Sequence, residues 1–407
     1  MPAPILARRL GLAAVSTLVA LGCAWWYLDR GAKEESTIEF VGDASEFRDA
    51  LAAREVSGEE LVSFESAAEL GLDFARRLRD ELTEQDLHVL FPQIKKKRVK
   101  RVPGVHYALL PNKRWKRKFA EHPAGEFKRH TNSLGIRENY DPPEPPADLN
   151  VLVMGDSHAE GVCSNSETLA NRLEARLRSE RPAESVEVWN LAVSGYGCAN
   201  YLGTLTAYGH LEPQDVVLVS YGGNDFRDAL GPWWYLYRRS PGSAVPLEFI
   251  SPLRQEGKDG TAMLGQEIHQ ALTFLTHPDS GQDAARLMSA CGMELDRQCK
   301  ERGARFLFVY LPPPSAGQPE LFRDRLVQAM DRIGADPEGL GICDELADAT
   351  LVALEQAGVA TLDLRPVFAA NPEPLYWHTD LHLNVRGHAL VAERIHAALY
   401  AADFKPR

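Results

Sequence analysis

The chain has 407 residues, 44% of them apolar and 25% charged, with 31 Gly, 26 Pro and 6 Cys. That length accommodates one large domain or two ordinary ones, and the composition excludes collagen-like, disulfide-scaffold and wholly disordered chains. A net charge of -12 argues against a nucleic-acid partner, because that affinity comes from neutralising phosphates with Lys and Arg.

Arg8 and Arg9 precede an uncharged run from 10 to 28 that ends in Trp25, Trp26 and Tyr27. About twenty apolar residues cross a bilayer, so residues 1 to 30 are expected to form a cytoplasmic stub and a transmembrane anchor. Arginines before the span and a long body after it put the N-terminus in the cytoplasm and the rest outside, in the periplasm, with inner-membrane lipid as a partner. The alternative is a cleaved signal peptide, with ALGC at 20 to 23 as a poor lipoprotein-like site.

Residues 31 to 148 read as a helical stalk and a short-strand extension. Leu70, Phe74, Leu78 and Leu82 share one helical face. Residues 95 to 118 form a basic block, either a solvated face or a contact for lipid headgroups or an anionic polymer. Residues 106 to 110 and 126 to 136 read as strands, and YDPPEPPAD at 140 to 148 as a joint.

From 149 to 407, five apolar runs alternate with helical pattern: 149–154, 186–191, 215–221, 305–311 and 360–364. Near-continuous apolar strands separated by helices predict a parallel sheet covered on both faces, a three-layer α/β/α sandwich. In such sheets the reactive groups gather after the strand ends. The first strand ends in Gly155-Asp156-Ser157, where a strand-to-helix turn exposes a hydroxyl. The second leads to Gly195, whose N–H can approach a substrate closely, and the third to Asn224, whose amide is a further oxyanion donor. Near the C-terminus, Asp380 and His382 are two apart, so in an extended segment they project to the same side and the carboxylate can orient the imidazole. His378 and His388 are rival bases. The order Ser157, Asp380, His382 is one that serine hydrolases use.

These blocks resemble the SGNH (GDSL-type) hydrolase superfamily, with Ser157, Gly195, Asn224 and His382 matching its four marker positions. The resemblance covers 149 to about 400. It implies a five-stranded flavodoxin-like sheet, a Ser-His-Asp triad, an oxyanion hole formed by Ser157, Gly195 and Asn224, and no metal or organic cofactor. NSLGIR at 132 to 137 is similar to a motif that precedes the catalytic domain in bacterial members. The usual Asp-x-x-His is shortened here to Asp-x-His, with Thr379 in the ordinary Asp position. That version resembles bacterial polysaccharide O-acetylation enzymes of the superfamily.

The expected activity is therefore cleavage or transfer of an acyl ester, acetyl by analogy, on a cell-envelope glycan. A non-catalytic scaffold in envelope polysaccharide assembly and a lipid esterase remain as alternatives, and no protein partner is indicated. Cys163 and Cys198, soon after Ser157 and Gly195, are either a disulfide bracing the site or two buried thiols. The stretch 229 to 282 is long enough for a lid; its Trp233, Trp234 and Arg238 either bind sugar and carboxylate or pack in the core.

Overall fold

A computed structural model describes residues 64–237 and 265–400. The expected anchor, the first part of the stalk and Arg238 lie outside the described residues. No helix among those described is long and apolar enough to cross a membrane.

The chain begins with α1 (Ala67–Asp80) and α2 (Glu84–Leu90), each opened by a capping box, Ser66 with Glu69 and Thr83 with Asp86. Two antiparallel hairpins follow. In the first, β1 (Val99–Val102) pairs with β2 (His106–Leu109); in the second, β3 (Arg114–Lys118) pairs with β4 (Glu126–His130). Both β1 and β3 fall within the basic block, whose charges obscure the strand pattern. In β3, Arg114, Lys116 and Lys118 face out while Trp115 and Arg117 are half-buried, the period-2 alternation of a strand with one wet face.

The five apolar runs form β5 (Leu149–Gly155), β6 (Val186–Asn190), β7 (Asp215–Tyr221), β8 (Arg305–Leu311) and β9 (Thr361–Asp363). They pair in parallel in the order β6-β5-β7-β8-β9. The order in which successive strands are added therefore reverses at the β5/β7 junction, the point where such sheets open a crevice at their carboxyl ends. Alternate residues feed separate cores. Leu152, Met154, Val216, Leu218, Phe306 and Phe308 enter one cluster, whereas Val151, Val153, Val217, Val219, Leu307 and Val309 enter the other. The first face is covered by α5 (Asp225–Tyr237), α7 (Asp279–Glu301) and α9 (Ile342–Gln356), with α1 packed outside α7. The second face is covered by α4 (Leu169–Glu180), α8 (Pro319–Arg332) and α10 (Val385–Tyr400). Helix α6 (Gly265–Thr276) leads into α7, and α3 (Ser157–Glu160) is a single turn directly after β5.

Cys163 and Cys198 are not bonded; both are free and buried. They face different neighbours. The Cys163 sulfur lies against Gly161, 3.0 Å from where a Cβ there would stand. The Cys198 thiol points at α7, 3.9 Å from the Leu287 carbonyl, and the Cys291 thiol donates to the Cys198 carbonyl at 3.7 Å. The loop after β5 turns toward α10 and the loop after β6 toward α7, so the two sulfurs diverge.

Two measurements follow from this packing. Gly71 on α1 brings its backbone so close to α7 that a Cβ would stand 2.3 Å from the Ala290 carbonyl oxygen. Gly71→Ala, which raises helix propensity by about 1 kcal/mol, should here destabilise by about 1–3 kcal/mol through overpacking; a raised urea midpoint would contradict the α1–α7 contact. Alkylation of the denatured, unreduced chain should label Cys163 and Cys198 separately in peptide mass spectra, and a linked Cys163–Cys198 peptide would contradict the free thiols.

Candidate active site

The carboxyl ends of β5, β6 and β7 bring Ser157, Gly195 and Asn224 to one edge of the sheet. Ser157 opens α3, with the Asp156 side chain capping the turn by accepting the His158 N–H at 2.8 Å. Both Ser157 and Gly195 are partly open to solvent. His382 approaches from the segment before α10. Its Nε2 lies 2.8 Å from Ser157 Oγ, and its Nδ1 lies 2.6 Å from Asp380 Oδ1.

Asp380 and His382 meet by a different route from the extended segment anticipated above. Leu381 is left-handed at φ 61, and the segment turns back on itself, with Leu381 N–H donating to the Trp377 carbonyl and Trp377 N–H to the His382 carbonyl. The turn is pinned from the extension. Glu121 accepts the backbone N–H groups of Thr379 at 2.9 Å and Asp380 at 3.2 Å. Trp377 donates its indole N–H to the Val162 carbonyl and lies edge-on to Phe119.

Burial by itself depresses the His382 imidazole, but the charge of Asp380 and its hydrogen bond outweigh that and hold the pKa above the ordinary 6.5. Burial alone would raise the Asp380 carboxyl; the facing imidazole keeps it below its usual range. The rival histidines stand elsewhere. His378 is exposed, with its carbonyl accepting from Arg325. His388 is fully buried, accepts the Leu169 N–H on Nδ1 at 3.2 Å, and is pushed down to about 3 by burial. His158, next to the serine, stacks on Tyr221 at 3.6 Å between ring centroids and lies 4.5 Å from the His382 ring.

Gly195 is left-handed at φ 82, a conformation that favours glycine. A Cβ there would also stand 2.6 Å from Nε2 of Gln93. The Asn224 amide nitrogen donates to Asp228 Oδ2 at 3.1 Å, and its carbonyl oxygen is buried with no hydrogen-bond partner. Burial pushes the neighbouring Asp156 carboxyl up to about 6.

Of the two readings for Trp233 and Trp234, lid or core, the structure shows the core. Trp233 and Trp234 are 3% and 6% exposed, and Trp233 stands against Tyr237, Phe64 and Phe74, with α1 covering it. Sugar stacking by these rings is thereby replaced by core packing. Sequence reasoning also missed Gln93, Tyr107, Glu121, Arg129 and Glu160, all of which contact the loops of the site. Glu121 and Arg129 were hidden in or beside a charge-rich stretch that reads as solvated surface, and only the three-dimensional pairing of the hairpin turns them inward.

Residues 153–390 match the GDSL-like Lipase/Acylhydrolase family. Among solved structures, an acetyl xylan esterase, AlAXEase, is 14% identical, with 62% of this chain and 100% of that chain covered and a TM-score of 0.35. A putative lipolytic protein of the G-D-S-L family from Desulfitobacterium hafniense DCB-2 is 13% identical, covering 62% of this chain and 100% of that chain at a TM-score of 0.34. The alpha/beta hydrolase LAE5 from the metagenome of Lake Arreo, Spain, is 15% identical, covering 62% and 95% at a TM-score of 0.35. No curated protein matches the sequence. The family match takes in β5 through the start of α10 and more than half of the chain, and on that ground the protein belongs to the GDSL-like lipase/acylhydrolase family of ester hydrolases.

Proposed function

We propose that Ser157, His382 and Asp380 act as a catalytic triad that cleaves or transfers an acyl ester, acetyl in the first instance, on a cell-envelope glycan. The observation that carries this reading is the continuous contact from Asp380 through His382 to Ser157, at 2.6 and 2.8 Å. The glycan rests on the Asp-x-His resemblance to polysaccharide O-acetylation enzymes. The periplasmic location and membrane anchoring belong to the same proposal and rest on the uncharged run from 10 to 28.

In the first step His382 Nε2 takes the Ser157 hydroxyl proton as the oxygen attacks the ester carbonyl. Asp380 holds the imidazole by Nδ1, fixing the tautomer that presents a lone pair at Nε2, and steadies the imidazolium that forms. The tetrahedral oxyanion is met by the Ser157 and Gly195 backbone N–H groups. Asn224 supplies a third donor: its amide carries two N–H groups, which now face the Asp228 and Asp156 carboxylates, and the oxyanion draws one of them away. His382 then returns the proton to the departing alcohol, leaving the acyl group on Ser157. Water gives hydrolysis of that acyl-enzyme, and a sugar hydroxyl gives transfer.

The test is turnover of p-nitrophenyl acetate and acetylated xylan by the wild type, Ser157→Ala and Asp380→Asn. Asp380→Asn should lower kcat by about 10⁴-fold, the scale seen when a triad's orienting carboxylate is neutralised, and Ser157→Ala by about 10⁶-fold; full activity in Ser157→Ala would end the proposal. Because His382 must be neutral to act as base, kcat/KM should rise with pH through a midpoint above 6.5, the direction set by Asp380. Asp380→Asn removes the largest influence that raises the His382 pKa while burial remains, so any residual activity should titrate at a lower pH than in the wild type. An unmoved midpoint would separate Asp380 from the base.

A further inference from the structure

The Gly195 N–H shares a peptide unit with the Ser194 carbonyl. That unit is planar and trans, so its N–H and C=O point in opposite directions, and whatever holds the Ser194 oxygen also aims the Gly195 N–H. Tyr107 of β2 donates its hydroxyl to the Ser194 carbonyl at 3.3 Å. Tyr107 is fully buried, lies edge-on to Tyr196 at 5.1 Å and accepts the Tyr196 hydroxyl on its own carbonyl. Its hydroxyl is therefore located by packing.

On the other side of the same residue, Glu160 at the end of α3 accepts both the Ser194 N–H and the Ser194 hydroxyl, each at 2.7 Å. Glu160 is 1% exposed. Burial alone would raise its carboxyl, but Arg129, Arg98 and Arg137 outweigh it and hold it at about 2, so it stays ionised at any working pH. Arg129 of β4, also buried, donates from Nη1 to Glu160 at 2.8 Å and from Nη2 to the Gly161 carbonyl at 2.8 Å. Arg137 donates to that same carbonyl at 2.7 Å. One carboxylate thus ties the end of the nucleophile's turn to the loop that carries Gly195, and Gln93 closes the remaining side of that glycine.

We propose that Tyr107 and Glu160 are positioning residues that aim the Gly195 N–H at the oxyanion. On this view residues 93 to 137, which precede the region matched to the family, are a working part of the catalytic centre. The inference rests on the proposed role of the Gly195 N–H. A single oxyanion donor is worth about 10²–10³ in kcat, and a displacement of about 1 Å at a reacting centre about 10²-fold. A loop turning through a left-handed glycine needs such bracing to keep its donor in place. Neither Tyr107 nor Glu160 touches the substrate in this scheme; both act through the Ser194–Gly195 peptide.

The experiment compares the full chain with Tyr107→Phe and Glu160→Gln on p-nitrophenyl acetate, recording kcat, KM and the thermal midpoint. In parallel it measures inhibition by phenylboronic acid, whose adduct with Ser157 places a boronate oxygen in the oxyanion position. Tyr107→Phe removes one oxygen from a buried ring and should lower kcat about tenfold, and Glu160→Gln about 10²-fold, with KM within about twofold of wild type. Boronate affinity should fall with kcat, a change that a purely structural role would not produce in a protein of unchanged thermal midpoint. Should Glu160→Gln fail to fold, Tyr107→Phe carries the test alone. Folded variants with kcat and boronate affinity within about twofold of wild type overturn the inference while the esterase reading stands, as does a fall in kcat with boronate affinity intact. A wild type that turns over no ester overturns both readings together.

Discussion

A carboxylate with almost no solvent contact sits beside the carboxyl edge of the sheet, and the surrounding chain is arranged to answer its charge. Glu160 cannot stay ionised in that position without a cation and several donors, because an isolated buried charge costs far more than a domain can tolerate. Arg129 supplies the cation and Ser194 two of the donors. To deliver them, the β3–β4 hairpin must lie across the end of α3, and the loop after β6 must come within hydrogen-bond distance of it. Removing Glu160 would leave the buried Arg129 and Arg137 without their shared counter-charge, which ties the extension to the loops at the sheet edge.

The sheet provides the complementary constraint. Its order, β6-β5-β7-β8-β9, puts β5 between strands reached by opposite crossings, and the crevice at that junction is where Ser157 emerges. Apolar alternation into two cores fixes the strands so tightly that only their terminal residues have freedom to differ in chemistry. His382 arrives from outside the sheet altogether. It is held by the turn at Leu381, by Glu121 and by Trp377, so the base is placed by the same hairpin that neutralises Glu160. Rigidity at the site comes from three separate segments converging on a few buried polar groups.

Much of this could be read from the residues. β5 to β8 stand out because both of their faces are buried, leaving near-continuous apolar runs, whereas the short edge strand β9 is half-buried; 215–221 and 305–311 are found where the pattern puts them. Ser157, Gly195, Asn224 and His382 are visible because each follows a strand or precedes a closing helix. The extension was harder to read for a physical reason. Strands such as VKRV and RWKRK carry charges at exposed and half-buried positions on both faces, so hydropathy alone shows a basic block. Arg129 and Glu160 look like surface residues until each is seen to bury the other. For the cysteine pair and the aromatics, direction decides between the two readings that spacing leaves open: Cys198 turns to α7, Cys163 to Gly161 and Trp233 to α1, which gives buried thiols and core packing.

Covalent trapping reads out whether Ser157 is a nucleophile activated by His382. The folded full chain would be treated with a fluorophosphonate and digested, and the modified peptide located by mass spectrometry. A nucleophilic Ser157 gives one phosphonyl adduct on that residue, lost in His382→Ala and in protein denatured before treatment. An unlabelled wild type, or label on a serine elsewhere in the chain, would contradict it.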